Sequence, residues 1–142
     1  MQEELPPHIY EEVLALSEKG NLYAEKGDYA LSLNEFNLAW ELLPEPKADW
    51  NASTWLLAGM ADSFFMLDDF KQSRKALEYA FHCPDALGNP FLHLRFGQVL
   101  FEADELDEAA NQLLKAYMFA GVEVFELEDA KYLSFLKTRA IL

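Results

Sequence analysis

Apolar residues recur at intervals of three and four along most of the chain, the spacing of a half-buried helix. The stretch after Asn51 shows it best. Leu57, Met60, Ala61 and Phe64 fall on one stripe, and Trp55, Asp62, Phe65 and Met66 fall on the stripe turned away from it. Extended along the sequence, the pattern predicts helices over residues 7–26, 29–43, 51–67, 70–82, 90–103, 106–120 and 128–141. Pro6 and Pro7 suit a first turn, and Asn89-Pro90 opens the fifth helix. Asn51 or Ser53 is expected to cap the third. Pro44, Pro46, Pro84 and Gly121 supply stops. Val122-Glu123-Val124-Phe125 alternates and reads as an extended connector, with no second strand to pair it. Tyr132, Phe135 and Leu136 share one stripe of the last helix.

Self-comparison exposes a repeat. Gly20, Ala61 and Gly97 are small residues in the first helix of each block, and Tyr23, Phe64 and Leu100 follow three residues later. The turns align as Gly27-Asp28-Tyr29, Asp68-Asp69-Phe70 and Asp104-Glu105-Leu106. Ser32, Ser73 and Ala109 come next, then Phe36, Leu77 and Leu113, then Ala39-Trp40, Ala80-Phe81 and Ala116-Tyr117. Small residues let paired helices approach, and large ones fill the space beside the contact. None of these helices is long enough to persist alone, so burial against a neighbour must hold each one.

The blocks resemble tetratricopeptide repeats (TPR), which carry small and large residues at these spacings in units of about 34 residues. Lys19 departs from the pattern, since an apolar residue is usual there. Extra residues fall in 44–50 and 85–90, both between hairpins. The resemblance implies an all-α fold in one domain, residues 1–142, with repeats at about 13–46, 54–87 and 90–121. The three hairpins would stack as a short right-handed superhelix, and the helix at 128–141 would cap it. In that family the first helix of each hairpin lines a concave groove. The implied groove residues are Asn21 and Glu25, then Trp55, Asp62, Phe65 and Met66, then Phe91, Arg95, Gln98, Phe101 and Glu102, with Glu105 beside them. Aromatic anchors of this kind carry most interface energy. Co-chaperone members of the family grip a peptide's terminal carboxylate with lysines, asparagines and an arginine. Asn21 and Arg95 match two of those places, but Ser17, Gly59 and Phe91 stand at the other three, and both lysines are missing.

Charge sharpens the picture. Of 142 residues, 25 are acidic and 11 basic, a formal net charge of −14. Such a surface repels nucleic acid and anionic membranes and attracts basic proteins. The acids Glu102, Asp104, Glu105, Asp107, Glu108, Glu123, Glu126, Glu128 and Asp129 crowd residues 101–130, where Lys115 is the one base. No apolar run approaches the ~18 residues of a membrane span. The N-terminal residues hold no apolar stretch of the signal-peptide kind, and Cys83 has no disulfide partner, so a cytoplasmic home is expected.

Candidate chemistry is sparse. His8, His82 and His93 lie far apart without ligand spacing, and no glycine-rich phosphate loop or metal motif occurs. No catalytic residue, metal or cofactor is expected. The chain as a whole is similar to small acidic bacterial TPR proteins encoded beside polymorphic toxins. That likeness rests on Leu-Pro-Glu-Pro at 43–46, Asn-Pro-Phe at 89–91 and Phe-Glu-x-Glu-Asp-x-Lys-Tyr at 125–132. It implies an immunity protein that binds and neutralises a basic toxin domain. The alternative is a general scaffold or co-chaperone that holds an extended peptide in its groove. Oligomeric state stays open.

Overall fold

The computed structural model describes residues 4–142. Among the described residues all regular structure is helical, in three hairpins and a terminal helix. The first hairpin joins α1 (Pro7–Glu25) to α2 (Tyr29–Leu42), and the second joins α3 (Asn51–Met66) to α4 (Phe70–Ala80). The third joins α5 (Pro90–Glu102) to α6 (Leu106–Ala120), and α7 (Ala130–Lys137) follows. The chain forms two compact units, Met1–Ala86 with the first two hairpins and Leu87–Leu142 with the third hairpin and α7.

The repeat is written into the backbone of the three tight turns. Gly27, Asp68 and Asp104 all adopt left-handed φ, at 81°, 59° and 63°. The following amide of each turn donates to a carbonyl five residues back: Asp28 to Tyr23 (2.8 Å), Asp69 to Phe64 (2.9 Å) and Glu105 to Leu100 (3.0 Å). A second amide closes the inner ring, Gly27 to Ala24, Asp68 to Phe65 and Asp104 to Phe101, each at 3.0 Å. This double closure satisfies the last carbonyls of the first helix and aims the chain into the second. Glycine suits the left-handed residue best, and aspartate tolerates it better than most.

In the first unit, Phe36 is the wedge. A β-carbon on Gly20 would lie 2.7 Å from its ring, and one on Gly59 would also lie 2.7 Å away. The ring of α2 therefore rests against bare backbone of both α1 and α3, and Phe36 is 1% exposed. Burying such a side chain stabilises by about 2–3 kcal/mol. Hydroxyls pair off inside: Ser73 Oγ donates to Ala61 O at 2.8 Å, and Ser63 Oγ donates to Ser32 Oγ at 3.2 Å. In the second unit Gly97 meets the buried Leu113 in the same way.

The loop after α2 is a fixed connection. The Lys47 ammonium donates to Trp40 O (2.7 Å) and Leu43 O (2.9 Å), capping the end of α2. Trp50 Nε1 donates to Pro44 O at 2.8 Å. A turn of 3-10 helix, Lys47–Asp49, lies between them and was not expected.

Several boundaries differ from the sequence reading. Residues Val122–Phe125 form one 3-10 turn, not an extended connector. Four residues are too few to fix a period of two, and only Phe125 among them turns fully inward, at 5% exposure. Neither expected cap serves α3. Asn51 is already helical, Trp50 holds the cap position, and Ser53 Oγ donates back to Lys47 O. The fourth helix stops at Ala80 rather than 82, because the amides of His82 and Cys83 close short turns onto Tyr79 and Ala80. The last helix is shorter than 128–141. Asp129 caps its start by accepting from the Lys131 amide, and Thr138 Oγ1 donates to Phe135 O at its end.

Candidate functional site

The residues singled out for recognition fall in both units.

In the first unit, Asn21 and Glu25 lie exposed near the end of α1. On α3, Trp55, Asp62 and Phe65 are half-buried, and Met66 is exposed. The Phe65 ring packs edge-on against Phe70 at 5.3 Å. Trp55 also lines an open cleft of about 580 Å³ with Trp50, Tyr10, Pro7, Leu5 and Glu4. Sequence spacing selected Trp55 from α3 alone. The other residues named come from the segment before α1, the start of α1 and the loop before α3, which no single helical period connects.

In the second unit the arrangement is tighter. Phe91, Arg95, Gln98, Phe101 and Glu102 all lie on α5, one turn apart or less. Arg95 and Gln98 are buried, at 6% and 0% exposure. Arg95 donates to Gln98 Oε1 at 2.7 Å, and its guanidinium lies over the Phe91 ring at 5.2 Å. Both residues then meet the chain's own Glu128. Arg95 forms a hydrogen-bonded ion pair with Glu128 Oε1, and Gln98 Nε2 donates to the same oxygen at 2.8 Å. Phe101 is half-buried between Tyr132 and Phe135, at 5.4 and 5.0 Å. Glu102 accepts from Tyr132 OH and from Lys131 Nζ, both at 2.7 Å. Glu105 is exposed and holds the N-cap position of α6.

Electrostatics follow from these contacts. Burial pushes the Glu102 carboxyl up, but the bonds from Lys131 and Tyr132 and the Lys131 charge outweigh it, leaving it below its ordinary value. Burial, then the Glu102 bond and charge, push the Tyr132 phenol far up, so it stays a donor. Bonds from Gln112 and Asn111 hold Glu108 below its ordinary value.

A second polar relay runs from Gly88 through α5 to α6. The Gly88 amide donates to His93 Nε2 at 3.0 Å, and His93 Nδ1 meets Gln112 Oε1 at 2.7 Å. Nε2 must accept, so Nδ1 carries the proton. Gln112 Nε2 then donates to Glu108 Oε1 at 2.9 Å. The His93 ring stacks on Phe119 at 5.9 Å. His93 is thus a packed polar residue of the core.

The α5 stripe was legible from spacing. Its partners were not, because Glu128, Lys131 and Tyr132 stand far downstream of the residues they meet, as Glu128 does from Arg95. Tyr132 and Phe135 on the apolar stripe of the last helix were the advance signs. Among the described residues, no three His, Cys, Asp or Glu side chains are grouped to hold a metal ion. Among them also, no helix is long and apolar enough to cross a membrane.

No protein-family model matches the chain, and no curated protein does. Solved structures do match, TPR domains among them. The Arabidopsis OM64 TPR domain is similar with a TM-score of 0.71 and 20% identity, over 92% of this chain and 95% of that one. The first TPR domain of human RPAP3 is similar with a TM-score of 0.67 and 19% identity, over 89% of this chain and 88% of that one. The second TPR domain of human RPAP3, in complex with an HSP70 peptide, SGPTIEEVD, is similar with a TM-score of 0.68 and 13% identity, over 92% and 96%. At these identities the likeness shows the fold: the chain has the helical-hairpin fold of TPR domains.

Proposed function

We infer that this chain is a protein-binding module whose partner is basic. One observation carries the reading: a strong excess of exposed acidic charge on a helical-hairpin fold. Asp104, Glu105, Glu108, Glu123, Glu126 and Asp129 are all exposed in a span whose one base is Lys115, while Asp107 is paired with Arg139 at 2.7 Å. Such a field steers a basic protein inward and is screened over about 8 Å at physiological salt. The finer form of the proposal is an immunity protein that occludes a cognate toxin domain. A toxin that handles nucleic acid is basic for its own purposes, and an acidic inhibitor matches it.

The second reading is a scaffold for an extended peptide. It is favoured by neighbours of the same fold, one bound to an HSP90 peptide, SRMEEVD, and another in complex with SGPTIEEVD. Those peptides are acidic. Here Ser17, Gly59 and Phe91 replace three of the five carboxylate-gripping positions, and Arg95 already holds Glu128. An acidic peptide is therefore the weaker candidate.

The test is to capture the partner from cells, identify it, and follow association at two salt concentrations. Reversing Glu105, Glu123 and Glu126 to lysine should slow association at least tenfold and flatten its salt dependence. Replacing Trp55 by alanine should instead speed dissociation. An acidic partner, or an association rate indifferent to salt and to the reversal, overturns the reading.

A further inference from the structure

Residues 118–129 present a surface that the fold of the second unit does not need. Met118 is 73% exposed, Phe119 59%, Val122 47% and Leu127 97%. The core of this corner is already supplied by Ala116 and Phe125, at 0% and 5%. Four large apolar side chains within ten residues of sequence therefore face water. Glu123, Glu126 and Asp129 are exposed among them, and no basic residue occurs between Lys115 and Lys131.

The backbone of the segment is fixed, and the Phe119 side chain is held with it. Phe119 is braced by its stack on His93, which the Gly88 amide and Gln112 fix in turn. The amides of Val124, Glu126 and Glu128 donate hydrogen bonds to the carbonyls of Gly121, Glu123 and Phe125, which tie the backbone into successive tight turns. Anchors ordered before contact lose little freedom on binding. The same internal bonds leave no extended edge to which a partner could add a strand. A ligand here must satisfy its own backbone, as a helix does. The path from Met118 to Leu127 is no longer than about 25 Å, and four helical turns span about 22 Å.

We propose that residues 118–129 dock a basic amphipathic helix of a partner protein. Its apolar side covers Met118, Phe119, Val122 and Leu127, and its lysines or arginines meet Glu123, Glu126 and Asp129. The charge half of this inference rests on the basic-partner reading above; the location does not.

The test uses a synthetic four-turn helix of lysine and leucine, labelled for fluorescence anisotropy. It is titrated with the wild-type chain, with Met118→Ser/Leu127→Ser, and with Leu22→Ser/Leu38→Ser. Leu22 and Leu38, each 55% exposed, are surface leucines of the first unit. All four sites are exposed, and circular dichroism checks that each variant melts as the wild type does. The Met118/Leu127 pair should weaken binding at least tenfold, and the Leu22/Leu38 pair less than twofold. Equal effects from both pairs, or none from the first, overturn the docking face while leaving the basic-partner reading intact. A glutamate-leucine helix should bind at least tenfold more weakly than the lysine-leucine one. Equal affinity for the two overturns the charge half and the basic-partner reading with it. Sedimentation should show a monomer without peptide. A dimer that Met118→Ser/Leu127→Ser dissolves would assign the face to a second copy and overturn the proposal.

Discussion

Replacing Gly97 by alanine should destabilise the second unit, although alanine is the better helix former. The new β-carbon would stand 2.7 Å from Cγ and Cδ2 of Leu113 and 3.0 Å from its backbone nitrogen. Ordinary contact begins near 3.4 Å. Leu113 is fully buried and cannot swing clear, and its nitrogen belongs to the middle of α6. The two helices must therefore part. Overpacking of this kind costs about 1–3 kcal/mol. Relief of the glycine penalty in a helix returns up to about 1 kcal/mol. The net expectation is a loss of about 1–2 kcal/mol, read as a lower urea midpoint by far-ultraviolet circular dichroism. The mechanism has a sharper test in the Leu113→Ala background, where the two clashing side-chain atoms are gone. There Gly97→Ala should cost less than about 0.5 kcal/mol, a coupling of the size seen for residues in contact. Equal cost in both backgrounds, or a stabilised single variant, would refute the close-approach argument.

Other expectations follow from the same contacts. Gly59→Ala should cost about 1–2 kcal/mol by urea denaturation, because Phe36 is confined on its other side by Gly20 and its ring cannot retreat. Glu128→Ala removes the carboxylate from a buried guanidinium, so the melting temperature should fall by the equivalent of about 3 kcal/mol, with Glu128→Gln falling less. Asp68→Gly and Asp104→Gly should each raise stability by under about 1 kcal/mol, since glycine relieves the left-handed backbone but frees the unfolded chain. Burial pushes the Cys83 thiol up to about 11, from 9.0. The unfolded thiol ionises first, so this group's contribution to stability is complete below pH 9 and declines as pH rises from 9 to 11. Cys83→Ser should lose that part of the alkaline decline.

The helices were legible because their punctuation is local. Pro44, Asn89-Pro90 and Gly121 act through their own backbone chemistry, and the structure keeps those boundaries within a residue or two. The hairpin turns were legible by alignment, since Asp68 and Asp104 occupy the place of Gly27. What the sequence concealed was tertiary. Trp50 as the lead-in to α3 depends on its bond to Pro44, and the 3-10 turn at 122–125 depends on Phe125 turning inward. For the candidate site, spacing put Arg95, Gln98, Phe101 and Glu102 on one stripe of α5. It could not say that Glu128, Lys131, Tyr132 and Phe135 would meet that stripe, because nothing local links residues so far apart.

The wedge of Phe36 between two glycines limits how freely the modules could ever be exchanged. Gly59 stands two residues before Ala61, and Arg95 stands two residues before Gly97, so the pair hold one position in successive copies. In the second hairpin that position must be bare to admit the Phe36 ring. In the third it carries a guanidinium committed to Glu128. Transplanting the third hairpin into the second place would drive a long cationic side chain into the ring's seat and strip Glu128 of its partner. Copies that look interchangeable as a pattern have become order-specific parts, and a chimera built by shuffling them should fail at this one residue before any other.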